Sequence, residues 1–134
     1  MAKLDHVAVQ VADLDAAIAF YTEKLGLKLM FREMSAEHHE AFAFIELEGG
    51  NLELLQTLDD QNRPKPYAPP TIQPPYCPHV ALQTDDMDAL IADLDAKGIA
   101  IVKGPLEIPG SVRWLYLADP NNNVVEYVQW VSQP

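Results

Sequence analysis

Two histidines and two glutamates recur at one interval along this chain of 134 residues. The spacing from His6 to His79 equals the spacing from Glu53 to Glu126. Two neutral imidazoles and two carboxylates suit a divalent cation in an octahedral site with two positions left for water or substrate. Such donors fit Ni, Zn, Co, Mn or Fe, and their types do not choose among these metals. The sequence therefore predicts a divalent metal site.

The interval belongs to a longer internal repeat. Residues 5–19 read DHVAVQVADLDAAIA and residues 78–92 read PHVALQTDDMDALIA, with nine of fifteen positions identical. Taken singly, a strand-edge histidine or a solvated glutamate needs no functional explanation. Folding alone does not favour burying ionisable groups, however, and here four of them recur among buried neighbours. The repeat therefore favours a metal site over four unrelated polar residues.

Each copy of the repeat predicts one strand, one helix and three further strands. In the first copy the strands are 4–11, 28–33, 41–48 and 51–56, and the helix is 14–25. In the second the strands are 79–84, 100–103, 113–118 and 124–130, and the helix is 87–97. Alternating apolar residues predict the strands, and an acidic N-cap and a following glycine bound each helix. The predicted fold class is α+β, with two tandem βαβββ modules that form cupped mixed sheets.

The modules, about 1–58 and 77–134, are expected to form a single domain joined by a proline-rich loop, 59–76. Seven of the eleven prolines lie in or next to this loop, which excludes helix and central strand. The loop is either a linker or a lid over a site, and the two roles are compatible.

Strand alternation predicts which side chains share a face with the four candidate ligands. His6 and Gln10 point away from the first helix, as do His79 and Gln83 from the second. We expect the uncovered faces of the two sheets to enclose a cleft where the ligands converge. The residues expected to contact substrate are Gln10, Gln83, Arg113 and Tyr116, with Arg113 as an anchor for an anionic group.

Composition limits the partners. Twenty acidic against nine basic residues give a net charge of −11, which repels nucleic acid and anionic membranes. No apolar run is long enough to span a bilayer, and the one cysteine, Cys77, excludes an internal disulfide. We expect a cytoplasmic protein with no nucleic-acid or membrane partner. Because a βαβββ unit leaves a sheet edge and a concave face open, we also expect a homodimer.

Four segments resemble the vicinal oxygen chelate superfamily, which includes glyoxalases, bleomycin resistance proteins and extradiol dioxygenases. They read DHVAVQVADLDAAIAFYTEKLGLKL at 5–29, NLELLQ at 51–56, PHVALQTDDMDALIADLDAKGI at 78–99 and LADPNNNVVEYVQW at 117–130. The likeness is closest to glyoxalase I-like and methylmalonyl-CoA epimerase-like members. It implies paired βαβββ modules, with a metal held by residues of the first and fourth strands of each module.

Carried onto this chain, the resemblance implies His6, Glu53, His79 and Glu126 as ligands. Epimerases often have glutamine at the position of Glu53, so this residue favours a glyoxalase I-like site. Glyoxalase I enzymes place an arginine that holds glutathione where this chain has Gln10. The resemblance therefore implies the family, while Gln10 in place of this arginine argues against a glutathione thioester as the substrate.

These observations predict a metal-dependent lyase or isomerase of the glyoxalase I type, similar to lactoylglutathione lyase. A small substrate with adjacent oxygens would chelate the ion, which would stabilise an enediolate. Glu53 or Glu126 would move the proton beside the carbonyl as catalytic base. One alternative is an Fe(II) extradiol-type dioxygenase with His6, His79 and Glu126 as ligands. Another is a non-enzymatic protein that binds a small molecule or antibiotic.

Overall fold

The computed structural model describes residues 1–131, which form eight strands and two helices. In chain order the elements are β1 (His6–Gln10), α1 (Leu14–Ala19), β2 (Lys28–Ser35), β3 (Glu40–Glu46), β4 (Asn51–Thr57), β5 (His79–Gln83), α2 (Met87–Ala96), β6 (Ile101–Ile108), β7 (Val112–Ala118) and β8 (Val124–Trp130). A π-helical turn, Phe20–Lys24, continues α1. Neither helix of this described part is long and apolar enough to cross a membrane.

Contacts divide the chain into two compact units. The first comprises residues 1–70 together with 119–123, and the second comprises 71–118 and the residues from 124 onward. The first unit holds a four-stranded sheet in the order β1-β4-β3-β2, and the second holds one in the order β5-β8-β7-β6. In each sheet the first pair of strands is parallel and the remaining pairs are antiparallel. The prediction of two βαβββ modules with mixed sheets is confirmed.

Equivalent aspartates begin both helices. Asp13 Oδ1 accepts a hydrogen bond from the backbone N–H of Ala16 at 3.2 Å, and Asp86 Oδ1 accepts one from Ala89 at 3.0 Å. Such N-caps satisfy amide groups that have no partner inside the helix, and each typically stabilises by about 1 kcal/mol. The two caps occupy the same position in the two copies of the repeat, which therefore preserves the helix starts.

Two glutamines hold the first helical amide of each unit. Gln56 Oε1 on β4 accepts from the N–H of Leu14 at 2.9 Å, and Gln129 Oε1 on β8 accepts from the N–H of Met87 at 2.9 Å. Each glutamine lies three residues after a candidate glutamate ligand on the same strand. An odd separation puts glutamine and glutamate on opposite faces of the sheet. The glutamines therefore fix which face of each sheet the helix covers.

The helix-covered faces form the apolar cores. In the first unit the buried side chains include Leu14, Ala17, Tyr21, Ala43, Ile45, Leu52 and Leu54, and in the second they include Met87, Leu94, Leu115, Leu117, Val125 and Tyr127. Burial of one large apolar side chain typically contributes about 1.5–3 kcal/mol. Since buried and partly exposed residues alternate along β4 and β7, the opposite faces remain available for polar chemistry.

One predicted strand is longer than expected. The sequence prediction ended this strand at Lys103, whereas β6 continues through Gly104 and Pro105 to Ile108. Its pairing is irregular between Lys103 and Leu106, and Gly104 adopts φ +112° at that point. β6 is also an edge strand, where a proline needs no ladder partner for its missing N–H. A bulge at a sheet edge thus accommodates both strand-breaking residues.

The connection between β7 and β8 carries a buried carboxylate. The Tyr21 hydroxyl donates to Asp119 Oδ2 at 2.8 Å, and Asp119 Oδ1 accepts from the N–H groups of Asn121 and Asn123. The Asn123 side chain in turn donates to the carbonyl of Gln10 at 2.8 Å. These bonds join the segment that contains Tyr21 to residues 119–123 within the first unit.

Candidate metal centre

The first candidate pair lies on neighbouring parallel strands of the first unit. His6 Nε2 on β1 is 3.4 Å from Glu53 Oε1 on β4. The other ring nitrogen, Nδ1, lies 2.6 Å from the carboxylate oxygen Oδ2 of Asp5 and donates to it. The imidazole is 39% exposed, while the glutamate side chain is half-buried.

The second pair repeats this arrangement in the second unit. His79 Nε2 on β5 is 2.9 Å from Glu126 Oε1 on β8. Here Nδ1 donates to the backbone carbonyl of Tyr76 at 2.8 Å. The His79 side chain is 21% exposed, about half the exposure of His6. The second imidazole is thus the more enclosed of the two and closer to its carboxylate.

The acceptors on Nδ1 fix the tautomer of both histidines. A carbonyl or carboxylate oxygen accepts and cannot donate, so Nδ1 carries the proton and a neutral ring has its lone pair on Nε2. That lone pair faces a glutamate oxygen, which is also an acceptor. Two facing acceptors repel unless a positive charge lies with them, either a proton on Nε2 or a cation. Metal-binding histidines commonly have Nδ1 held by a carboxylate or carbonyl in this way, so the donor set fits a divalent metal.

The structure brings each histidine to its own glutamate. Within residues 1–131, no group of three or more His, Cys, Asp or Glu side chains is close enough to hold a metal ion. The four predicted ligands are therefore seen as two pairs, one in each unit.

The other predicted site residues differ in position. Gln10 and Gln83 follow the histidines on the same strand faces, and the Gln10 amide reaches Thr57 Oγ1 at 3.5 Å. Tyr116 pairs with Glu126 across β7 and β8, and its ring centroid is 5.4 Å from that of His79. These three residues lie on the same sheet faces as the candidate ligands, and their contact with substrate stays a prediction. Arg113 lies on the opposite, helix-covered face.

The position of Arg113 follows from strand alternation. It is three residues from Tyr116 on β7, and its guanidinium donates to Asp88 Oδ1 at 3.2 Å at the start of α2. Asp88 is an acidic residue in the first turn of α2, so it attracts an arginine on the neighbouring strand. We therefore leave Arg113 out of the proposed substrate-contacting residues.

Sequence reasoning missed an aromatic group beside His6. The ring centroids of His6 and Phe44 are 5.1 Å apart, and those of Phe44 and Phe31 are 4.9 Å apart with planes inclined by only 15°. Phe42 packs edge-on against both phenylalanines at 6.4 Å. Alternation along β3 places Phe42 and Phe44 on the face of Glu53, so the signal was present in the sequence. Phe31 joins this aromatic group because the pairing register of β2 shifts between Leu29 and Phe31, and the sequence pattern did not predict that shift.

Corresponding positions in the second unit are more polar. Glu53 is followed across its sheet by Phe44 and Phe31, whereas Glu126 is followed by Tyr116 and Lys103. Tyr76 also packs against Tyr116, with ring centroids 4.8 Å apart. The two glutamates thus have different neighbours on otherwise similar sheets.

Among the described residues, Tyr127 and Asp59 have pKa values shifted from their ordinary range. Burial, together with the charge of Asp93, raises the pKa of the Tyr127 phenol to about 12. Tyr127 belongs to the helix-covered face of β8. In the loop after β4, the backbone N–H of Arg63, aided by the N–H of Gln61 and the Arg63 side chain, lowers the pKa of Asp59 despite an opposing contribution from desolvation.

Comparison with known proteins identifies the family. A profile of the Glyoxalase/Bleomycin resistance protein/Dioxygenase superfamily matches residues 3–127. The chain belongs to this superfamily. Membership confirms the resemblance drawn from the four sequence segments.

Similar members of the superfamily carry different names. A probable lactoylglutathione lyase of Vibrio cholerae is 25% identical over 131 residues, covering 92% of this chain and 88% of the relative. The mitochondrial methylmalonyl-CoA epimerase of Homo sapiens is 29% identical over 110 residues, covering 81% of this chain and 61% of the relative. TnmS3, an antibiotic binding protein from Streptomyces, is 25% identical with a TM-score of 0.72, and 97% of each chain is covered. The superfamily fold is thus confirmed.

Proposed function

We propose that this chain is a divalent metal-dependent lyase or isomerase of the glyoxalase I type. One observation carries the proposal: in both units a histidine with its proton fixed on Nδ1 turns Nε2 toward a glutamate oxygen. A partner on Nδ1 is typical of metal-binding histidines, and a cation shared with the glutamate would balance the two facing acceptors. The lyase and epimerase names of similar chains agree with the proposed class.

The proposed ligands are His6 and His79 through Nε2 and Glu53 and Glu126 through a carboxylate oxygen. Nitrogen and oxygen donors suit Ni, Zn, Co, Mn or Fe. When bound, such an ion acts as a Lewis acid that lowers the cost of negative charge on a substrate oxygen. The substrate is proposed to be a small molecule with two adjacent oxygens.

The proton transfer is assigned to a glutamate of this chain. An oxygen of Glu53 or Glu126 takes the proton from the carbon next to the carbonyl, and the C–H electron pair moves into the adjacent C–C bond as the carbonyl oxygen gains charge. To isomerise the substrate, the same carboxyl returns the proton to the neighbouring carbon while the hydroxyl proton on the first carbon moves to the charged oxygen, which restores a carbonyl. To epimerise it, the other glutamate supplies a proton to the opposite face. No electrons are gained or lost overall. Gln10, Gln83 and Tyr116 orient the polar groups of the substrate.

One similarity favours a second candidate. The likeness to TnmS3 over nearly the whole of both chains supports the alternative of a non-enzymatic protein that binds a small molecule or antibiotic, since TnmS3 is an antibiotic binding protein. Such a protein would not need two oriented histidine–glutamate pairs. An Fe(II) dioxygenase is less consistent with the residues, because Glu53 as a fourth ligand would occupy a position that catechol or oxygen needs.

Pairing of two copies is part of the proposal. β2 and β6 are edge strands of their sheets and expose hydrophobic side chains, among them Met30, Val102 and Ile108. Open edges and apolar faces are often covered in an assembly. Light scattering of the purified protein is expected to give the mass of a homodimer.

Metal binding and proton exchange test the proposed function. Protein stripped with EDTA is titrated with Ni²⁺, Zn²⁺, Co²⁺, Mn²⁺ and Fe²⁺ by calorimetry. The loaded forms are then incubated with hydroxyacetone in D₂O, and deuterium uptake beside the carbonyl is followed by NMR. We expect stoichiometric loading and metal-dependent uptake. In the variant that removes the base, Glu53→Gln or Glu126→Gln, uptake falls by about 10²–10⁴-fold.

Glu46→Gln is the matched control. Glu46 lies on the same face of β3 as Phe44 but at the end of the strand, where its carboxylate is 3.7 Å from Lys28 Nζ. Its substitution is expected to leave metal affinity and deuterium uptake as in the unaltered chain. Equal metal affinity in Glu126→Gln, His79→Ala and the unaltered chain would refute the ligand assignment. Oxygen consumption by the Fe(II) form with catechols would favour the dioxygenase instead.

A further inference from the structure

The proposed metal ligands of the first unit continue into a row of aromatic rings. From register, Ala8, Glu53, Phe44 and Phe31 lie side by side across β1, β4, β3 and β2. Two strand spacings separate Glu53 from Phe31, a span of about 10 Å. A small molecule whose oxygens reach His6 and Glu53 would therefore extend over Phe44 and toward Phe31.

This ring surface is accessible. Phe31 is 40% exposed, and Phe42 and Phe44 are half-buried. Phe44 and Phe31 are nearly parallel at 4.9 Å, which leaves their edges and outer faces for a further ring. Stacked or edge-on aromatic pairs are favourable at such separations. A flat apolar group could thus extend a stack that the protein has already formed.

The charges of the same face disfavour an anionic group. Its acidic side chains include Glu53, Glu33 and Glu46. Among residues 6–57, all described, Lys28 is the one cation on this face, and its Nζ lies 3.7 Å from Glu46 Oε2. The net charge of the chain is −11, and this face has no unpaired cation among residues 6–57. It therefore offers no positive charge to the carboxylates of a compound such as glutathione.

We propose that the substrate carries a flat, uncharged aromatic group next to its chelating oxygens, held against Phe31 and Phe44. The proposal rests on the proposed function, because the oxygens are assigned to the metal ligands. It belongs to the first unit alone, since Tyr116 and Lys103 occupy the corresponding positions of the second. Phe31 thereby becomes a specificity-determining residue.

Two α-hydroxyketones that differ in one group provide the test. Hydroxyacetone carries a methyl group where α-hydroxyacetophenone carries a phenyl ring, and both are uncharged and exchange protons beside the carbonyl. With the metal-loaded protein, we expect a KM about 10–100-fold lower for the phenyl compound. In Phe31→Ala the ratio of the two KM values falls toward one, whereas Phe31→Tyr, which retains a ring, keeps most of the preference.

Met34→Ala is the control for lost apolar surface. Met34 is exposed on the same strand, but it pairs with Ala41 and so points to the other face of the sheet. We expect it to keep the phenyl preference. An equal loss of preference in Met34→Ala would overturn the proposal, because the effect would then not depend on the ring surface.

Binding without metal separates this proposal from the proposed function. 2-Naphthol is neutral, aromatic and unable to chelate through two oxygens. Binding of 2-naphthol to the EDTA-treated protein that is lost in Phe31→Ala supports the aromatic surface even if no metal binds. Deuterium uptake without phenyl preference and without 2-naphthol binding overturns it while the proposed function stands. A Phe31→Ala variant that is monomeric by light scattering, with the preference intact, assigns this face to pairing between copies and also overturns it.

Discussion

The two histidine–glutamate pairs have one spacing and two environments. His79 is 2.9 Å from its glutamate, is held by a backbone carbonyl and is 21% exposed, whereas His6 is 3.4 Å from its glutamate, is held by the exposed Asp5 and is 39% exposed. The common repeat interval maintains the donor atoms in both units. It does not maintain what surrounds them, because position 78, which corresponds to Asp5, is a proline.

The helix starts are held alike in the two units, whereas the residues that line the candidate sites differ. Gln56 and Gln129 bond to the first amide of their helices at the same distance of 2.9 Å. By contrast, Glu53 has phenylalanines beside it and Glu126 has a tyrosine and a lysine. The residues that hold the helices are thus alike in the two units, while those beside the candidate ligands differ.

Substituting Gln56 and Gln129 tests whether their bonds to the helix amides stabilise the two units equally. Gln56→Ala leaves the buried N–H of Leu14 without its acceptor, and we expect a loss of about 2 kcal/mol in the free energy of unfolding. Gln129 is only half-buried, so water can replace it, and Gln129→Ala is expected to cost about 1 kcal/mol. Urea denaturation followed by circular dichroism measures both. A larger loss in Gln129→Ala would contradict this assignment.

Tyr127 distinguishes the two cores at alkaline pH. Its counterpart in the first copy of the repeat is Leu54, so the first core has no such phenol at this position. The folded pKa of about 12 exceeds the ordinary value near 10, which means that folding favours the neutral phenol. Its contribution is complete below pH 10 and is lost as pH rises toward 12.

Tyr127→Phe removes this alkaline loss. At pH 11 the ionisation of Tyr127 is expected to cost the unaltered chain about 1.4 kcal/mol relative to pH 8. Urea titrations at the two pH values give the difference for each protein, and their comparison cancels the groups that titrate in both. If Tyr127→Phe has the same pH sensitivity, the phenol is not the responsible group.

Asp5→Asn addresses the difference between the histidines, and its effect should be the smallest. Partners of metal-binding histidines usually change metal affinity about 10–100-fold, but Asp5 is 84% exposed, so we expect about a fivefold loss. Tyr76→Ala is the matching change in the second unit, and it retains the carbonyl that holds His79. Calorimetric titration with Ni²⁺ measures both, and an effect of Tyr76→Ala larger than that of Asp5→Asn would contradict this account.

Much of the fold was predictable because the sequence contains the same βαβββ pattern twice. The internal repeat indicated the order of the elements. Strand alternation indicated the sheet faces of His6, Glu53, His79 and Glu126. The His6–Glu53 distance of 3.4 Å and the His79–Glu126 distance of 2.9 Å agree with those faces. Arg113 shows the limit of reading residue type alone, since its place in the alternation already assigned it to the helix-covered face. β6 ran past its predicted end because an edge strand tolerates a bulge at Gly104.

Other features depend on contacts that no local pattern contains. The carbonyl of Tyr76 reaches His79 from a proline-rich loop in which Tyr76 adopts φ +63°. Phe31 meets Phe44 only because the pairing of β2 shifts near Met30. Both contacts arise from irregular backbone, for which sequence periodicity gives no signal. The convergence of the four ligands on one ion stays a prediction.

The hydrogen bonds around Asp119 limit where the chain can be divided into fragments. A segment distant in sequence, 119–123, belongs to the first compact unit, where Asn121 accepts from the amide of Ala12 and Asn123 bonds to Gln10. A fragment ending at residue 70 would lack this segment, leaving the Ala12 amide and the Tyr21 hydroxyl without these partners. We therefore expect that cutting the chain between the two sequence repeats would not give two halves that each fold alone.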